Sequence, residues 1–194
     1  MKSTNITKIR ENIYEFEFQK LLTYLNGKNS INSNTKENLK RTFILLYYTG
    51  MRLNEVKQLK IKDILAILKN EELIIITHKT KKERKLFFSK KSIKEIRKNF
   101  IFESYQEDDY IIKAKGNPQK TTSDITFISQ VNSFIQEVLG DRYSSHSFRV
   151  GLITHMSKSI NPKFIKEFIG HSDINTTMRY IKPTDEDLRM CLVR

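Results

Sequence analysis

Several short segments of this chain carry side chains suited to phosphate chemistry. Arg52 and Glu55 stand three residues apart just after Thr49-Gly50, and His146 and Arg149 stand three apart in His146-Ser147-Phe148-Arg149. His171 follows Gly170, and Tyr180 comes nine residues after His171. Between the first two segments lies a basic run, His78-Lys79-Thr80-Lys81-Lys82-Glu83-Arg84. A guanidinium stays charged and offers a planar fork of donors that matches phosphate oxygens. An imidazole exchanges protons near neutral pH. A phenol, with a pKa near 10, leaves more readily than an alkoxide, so it suits a covalent link that must later be undone. Residues three apart share a helix face. Taken singly, each segment has a plainer reading: an exposed Arg–Glu helix pair, a solvated His–Arg face, a histidine at a helix end, one tyrosine among eight, a soluble hairpin tip.

These segments need elements to hold them. With 6 Gly and 3 Pro in 194 residues, long stretches run without breaks, and helix should dominate. After a polar lead-in, Phe16, Leu21, Leu22 and Leu25 mark the apolar face of a first helix closed by Asn26-Gly27. A second is expected from Asn34, with Glu37 as its capping partner, through Leu39, Phe43, Leu46 and Tyr47 to Gly50. A short third helix spans Asn54 to Leu59. Glu72 to Thr77 and Arg84 to Phe88 read as the strands of a basic β-hairpin. Further helices fit Lys91 to Phe102, Ser123 to Leu139, Ser145 to Lys158, Pro162 to Ile169 and Ile174 to Ile181. The Pro162 helix has Asn161 as cap, Pro162 in its first turn and Gly170 past its end. The fold class is α+β, mainly helical, with one small antiparallel sheet.

Composition narrows the partner. Lys and Arg number 35 against 22 Asp and Glu, a formal charge of +13, which calls for a polyanion. Aromatics make up 10% of the chain, unlike a disordered basic tail. Nucleic acid is the expected partner, with an anionic membrane surface as the alternative. Cys191 alone leaves no internal disulfide and too few thiols for a structural zinc site. The four histidines, 78, 146, 155 and 171, form no His-x-x-x-His pair with a glutamate, so no metal is expected. The first ten residues lack the apolar run of a secretory signal, and no stretch approaches the roughly 18 apolar residues of a membrane span. A cytoplasmic, DNA-associated protein follows as the expectation.

The order Arg, His-x-x-Arg, Gly-His, Tyr, from roughly Asn34 to Ile181, resembles the catalytic domain of the tyrosine recombinases, the group that includes phage integrases, Xer resolvases and conjugative-transposon integrases. The resemblance implies site-specific cleavage and rejoining of double-stranded DNA through a 3′-phosphotyrosyl intermediate, with no cofactor, metal or ATP. Tyr180 would be the nucleophile, Arg52 and Arg149 would hold the non-bridging oxygens, and His146 would assist Arg149 and take the tyrosine proton. His171 would hydrogen-bond the phosphate, and Glu55 stands where the family usually has an acidic residue orienting the site. The general acid in this family is a lysine in the hairpin turn. Relatives often read Gly-Lys-Gly-x-Lys-x-Arg there, which aligns Lys79 with it and leaves Lys82 in reserve, although both glycines are missing here. Val150 also departs from the His common after the second arginine, while Thr154-His155 follows the pattern again.

Lys57, Lys60, Lys62, Lys81, Lys82, Arg84, Lys113, Lys115 and Lys120 are the candidate contacts to the duplex backbone. The whole chain, 1–194, reads as the catalytic domain, with residues 1–33 as lead-in and first helix and 182–194 as a C-terminal tail helix. There is no room before Asn34 for the N-terminal core-binding domain of about a hundred residues that the family usually carries. The resemblance further implies self-association on DNA through the tail, and accessory bending or directionality factors. The alternatives are a type IB topoisomerase-like relaxing enzyme and a non-catalytic DNA-binding regulator with the same fold.

Overall fold

The structure, a computed structural model, describes residues 11–77, 83–102 and 105–181, together with 185, 186, 189 and 192. Helix α1 (Glu15–Gly27) buries Phe18, Leu21 and Leu25, whereas Phe16, expected on that face, is exposed. It lies against α2 (Ser33–Thr49), the longest helix of the described residues. The Asn32 side chain caps α2, accepting from the Thr35 amide at 2.9 Å. The expected start at Asn34 with Glu37 is not used, because Asn34 Nδ2 donates to the Lys113 carbonyl at 3.1 Å and Glu37 pairs with Arg41. Gly50 closes α2 in the left-handed region, φ 59°, its amide donating to Leu46. An L side chain in that conformation costs roughly 1–2 kcal/mol.

Helix α3 (Leu53–Gln58) begins one residue earlier than expected, because the Glu55 carboxylate accepts from the Arg52 amide at 2.8 Å and supplies the cap. Helix α4 (Ile61–Asn70) was not among the expected elements. It buries Ile61, Ile64 and Ile67 on one stripe. Strands β1 (Glu72–Ile76) and β2 (Glu83–Phe87) pair antiparallel, Ile75 facing Arg84 and Ile76 facing Glu83. Helix α5 (Lys90–Asn99), capped by Ser89, packs on α2 and α4.

A second hairpin, also unanticipated, pairs β3 (Lys113–Ala114) with β4 (Asn117–Thr121) around Gly116, φ 74°. Helices α6 (Asp124–Leu139) and α7 (Ser145–Met156) follow. Phe43 of α2 sits 5.7 Å from the Phe134 ring of α6 and 5.9 Å from the Phe148 ring of α7, so one aromatic stack ties all three helices. Truncating such a residue to Ala costs about 3–5 kcal/mol. Helix α8 (Pro162–Ile169) has the expected Asn161 cap, Pro162 in its first turn and Gly170 at its end. Helix α9 (Ile174–Met178) is shorter than expected. Ile153, Ile165 and Ile169 form a second, smaller core, against which Tyr180 and Ile181 pack. The expected tail helix falls largely outside the described residues. No helix among the described residues is long and apolar enough to cross a membrane.

Candidate active site

Two helix ends meet at one place. Gly50 ends α2, Ile169 and Gly170 end α8, and α7 brings Arg149 between them. Arg149 is buried, 2% exposed. Its Nη1 donates to the Gly50 carbonyl at 2.7 Å and its Nη2 to the Ile169 carbonyl at 2.5 Å. The carbonyls at a helix C-terminus lack intrahelical partners and carry the negative end of the dipole, so they suit a buried cation. Arg52 Nη1 meets Glu55 Oε1 at 2.9 Å and its Nη2 reaches the Gly170 carbonyl at 3.3 Å. Arg84 Nη2 meets the other Glu55 oxygen at 2.8 Å, and its Nη1 donates to the Ile169 carbonyl.

Two guanidiniums thus share the Glu55 carboxylate, and Arg149 lies near enough to feel its charge. Burial, reinforced by the neighbouring charges of Arg52 and Arg84, pushes Arg149 down to about 9. The cluster holds excess positive charge, and an anion placed beside it relieves that repulsion. Met51, Arg52, Leu53, Ile128, Ser145, His146 and Arg149 line a cleft of about 210 Å³ at this point.

His146 and Tyr180 complete the constellation. His146 Nε2 lies 3.0 Å from the Tyr180 hydroxyl, and the His171 and Tyr180 rings lie 6.5 Å apart. Tyr180 is held by its packing on the Ile153–Ile165–Ile169 core and by its amide, which donates to the Thr177 carbonyl at 3.0 Å. His171 Nδ1 is 2.9 Å from Oγ1 of the buried Thr177. Desolvation, together with the charges of Arg149 and Arg52, lowers His171 to about 4, so its imidazole is neutral at pH 7. Arg52, Glu55, His146, Arg149, His171 and Tyr180, scattered over 129 positions of sequence, therefore converge.

The expected duplex contacts separate into groups. Lys57 is buried and paired with Asp124, and Arg84 is buried in the arginine cluster. Neither presents its charge on the surface, so both are corrected as backbone contacts: each is desolvated and already paired, Lys57 with the exposed Asp124 and Arg84 with the buried Glu55. Lys60 and Lys62 both pair with Asp108, at 3.2 and 2.8 Å. Lys113 is half-buried beside Tyr105 and Glu37. Lys115 and Lys120 are exposed on the second hairpin. Lys79, Lys81 and Lys82 lie outside the described residues. Among the described residues no cluster of three or more His, Cys, Asp or Glu is placed to hold a metal.

Sequence reasoning passed over five participants. Thr177 carries no signal beyond its six-residue distance from His171. The carbonyls of Gly50, Ile169 and Gly170 carry none, since every residue has one; only the glycines, which end helices in the left-handed conformation, hint that those ends are special. Asn132 of α6 accepts from the Ser145 amide at 2.9 Å and so fixes the first turn of α7, where His146 sits.

The phage integrase family's sequence model matches residues 11–187. Among curated relatives, the chain is 32% identical to the tyrosine recombinase XerC of Treponema denticola, over 76% of this chain and 52% of that protein. It is 27% identical to the tyrosine recombinase XerA of Pyrococcus horikoshii, over 82% of this chain and 55% of that protein. The chain spans about half the length of these relatives. Among solved structures, the XerH site-specific recombinase in its post-cleavage complex with difH matches with a TM-score of 0.69 at 20% identity, covering 95% of this chain and 53% of that one. The catalytic domain of bacteriophage HP1 integrase matches with a TM-score of 0.56 at 18% identity, covering 95% of each chain. The fold is that of tyrosine recombinase catalytic domains, and the chain belongs to the phage integrase family.

Proposed function

We propose that this chain is the catalytic part of a site-specific DNA recombinase. The observation that carries the reading is the 3.0 Å contact between the Tyr180 hydroxyl and His146 Nε2, with His146 lining the cleft that Arg52 and Arg149 also line. A phosphodiester seated there meets guanidiniums on its non-bridging oxygens and a phenol beside an imidazole. The Tyr180 oxygen attacks phosphorus, the P–O5′ bond breaks, the phenolic proton passes to His146, and the departing 5′ oxygen takes a proton from Lys79, with Lys82 as the other candidate. The 3′-phosphotyrosyl ester keeps the energy of the broken bond, so rejoining needs no ATP. The guanidiniums stabilise charge as it shifts in the transition state.

Neutral His171 fits this scheme as a hydrogen-bond donor. If the Thr177 hydroxyl donates to Nδ1, the ring proton resides on Nε2, available to a phosphate oxygen. Recombination of two duplexes breaks four strands, and each chain brings one such tyrosine, so several copies must assemble on DNA. The segment beyond Pro183 is our candidate for that assembly, and deleting it should impair synapsis while sparing single-strand cleavage.

The test uses a pool of nicked suicide duplexes with randomised arms, in which cleavage next to the nick releases a short fragment and traps the adduct. A denaturing gel should show covalent protein–DNA with the wild-type chain and none with Tyr180→Phe. An undiminished adduct in Tyr180→Phe would remove Tyr180 from its role; no adduct from the wild type would remove the strand-transfer reading.

A further inference from the structure

Arg84 is the feature that the duplex-contact reading leaves unexplained. It is 4% exposed, near the start of strand β2, the strand that follows the sequence segment containing Lys79 and Lys82. One guanidinium there touches two separate segments, α3 and the end of α8. Nη2 meets Glu55 Oε2 at 2.8 Å, and the same carboxylate accepts from the Arg52 amide at 2.8 Å and from Arg52 Nη1 at 2.9 Å. Nη1 donates to the Ile169 carbonyl, which also accepts from Arg149 Nη2. The aliphatic stem lies against Gly170: a Cβ on Gly170 would stand 2.9 Å from Arg84 Cδ.

Arg84 therefore shares one acceptor with each of the two arginines that line the cleft. Burying such a group is costly, and an internal ion pair is weak evidence of a stabilising role, since apolar replacements of similar size are often tolerated. A surface role is excluded by burial. Its geometry instead links the hairpin to both guanidiniums.

We propose that Arg84 is a positioning residue for strand transfer: through Glu55 and the Ile169 carbonyl it fixes Arg52 and Arg149 on the non-bridging oxygens of the scissile phosphate. This rests on the strand-transfer reading above. The chemistry predicts a distinctive dependence on substrate. Replacing one non-bridging oxygen with methyl removes the charge that the two arginines serve, so a defect in their placement should shrink. Replacing the bridging 5′ oxygen with sulfur removes the need for a proton on the leaving group, and should not help a chain whose arginines are misplaced.

The experiment compares wild type, Arg84→Met and Arg84→Lys on the randomised nicked-duplex pool, with the scissile linkage as phosphate, methylphosphonate or 5′-phosphorothiolate. Circular-dichroism melts check folding, and filter binding checks affinity. Arg84→Met should bind the pool about as well as wild type and form adduct about 100-fold more slowly on phosphate, the scale expected of an ångström-sized misplacement. The deficit should fall below about 10-fold on methylphosphonate and persist on phosphorothiolate, since only the charged oxygens need the arginine pair. Arg84→Lys retains charge without the fork and should be intermediate, which keeps the test open if the Met variant does not fold. Wild-type rates in the variants overturn the proposal. So does rescue by phosphorothiolate, which would mean that Arg84 acts on leaving-group protonation, and so does an equal deficit on all three linkages, the mark of general structural loss. No adduct from the wild type on any linkage defeats the underlying reading instead.

Discussion

His171 shows how its surroundings set the chemistry of a single side chain. Burial and the charges of Arg149, Arg52, His146 and Arg84 hold it at about 4, below the ordinary 6.5. Between those two values the unfolded chain carries a proton on this residue that the folded chain refuses, so its contribution to stability rises as pH rises from 4 to 6.5 and is lost as pH falls through that window. Urea melts at pH 4.5 and 7 should show a smaller pH-dependence in His171→Gln than in wild type. Glu15 is lowered chiefly by its hydrogen bond to Lys91, and Glu137 by its hydrogen bond to Lys28, and both destabilise in the same direction at acid pH. The comparison with the variant is therefore what isolates the histidine. Equal slopes in the two chains would show that His171 protonates as freely in the fold as out of it. An anion bound in the cleft should reverse the effect, because phosphate offsets the arginine charges that hold the imidazole neutral.

At the scale of elements, α7 carries both His146 and Arg149, and its seating decides where they lie. Gly151, one turn beyond Ser147, faces the incoming segment at Ile13: a Cβ there would stand 2.4 Å from the Ile13 carbonyl oxygen, while the Ile13 amide donates to the Ser147 carbonyl at 3.2 Å. Gly151→Ala must push that backbone away, and overpacking of this kind costs about 1–3 kcal/mol. A thermal melt should show the loss, and a variant as stable as wild type would mean that the segment yields freely. The same elements show what the chain makes legible. Helices α2, α6, α7 and α8 announce themselves through caps, glycines and apolar spacing, and the site residues through their types and order. Helix α4 does not, because its cap is Asp63 accepting from its own Lys60 amide and it ends at Glu71, a non-glycine with φ 58°. The β3–β4 hairpin escapes because its strands are short and polar and include Pro118, and because its anchors are distant: Lys113 on the Asn38 side chain and Pro118 on the Tyr110 amide. Arg84 reads as a surface cation in a basic run, and only the approach of α3 and the end of α8 makes it internal.

The whole molecule is +13, but net charge overstates what a duplex would meet. Arg41, Lys57, Arg84 and Arg149 are buried and already bound to acceptors of this chain. Counterions are released from DNA only by cations that reach its phosphates, with a slope of log affinity on log salt of about −0.9 for each contact. Charge at the surface and charge in the interior should then separate experimentally. Replacing Lys115 and Lys120, both exposed on the second hairpin, with alanine should reduce the magnitude of that slope by up to about 1.8 if both face the duplex. Lys57→Ala should leave the slope unchanged, although it too removes a positive charge, and should lower stability by about 1 kcal/mol through loss of its pairing with the exposed Asp124. Titrations of a labelled duplex from 50 to 200 mM salt, a range in which several phosphate contacts change affinity by orders of magnitude, distinguish the two cases. A change of slope in Lys57→Ala would show that this lysine leaves Asp124 for a phosphate when DNA binds. An unchanged slope in the double variant would move the duplex path off the second hairpin and onto the basic segment between β1 and β2.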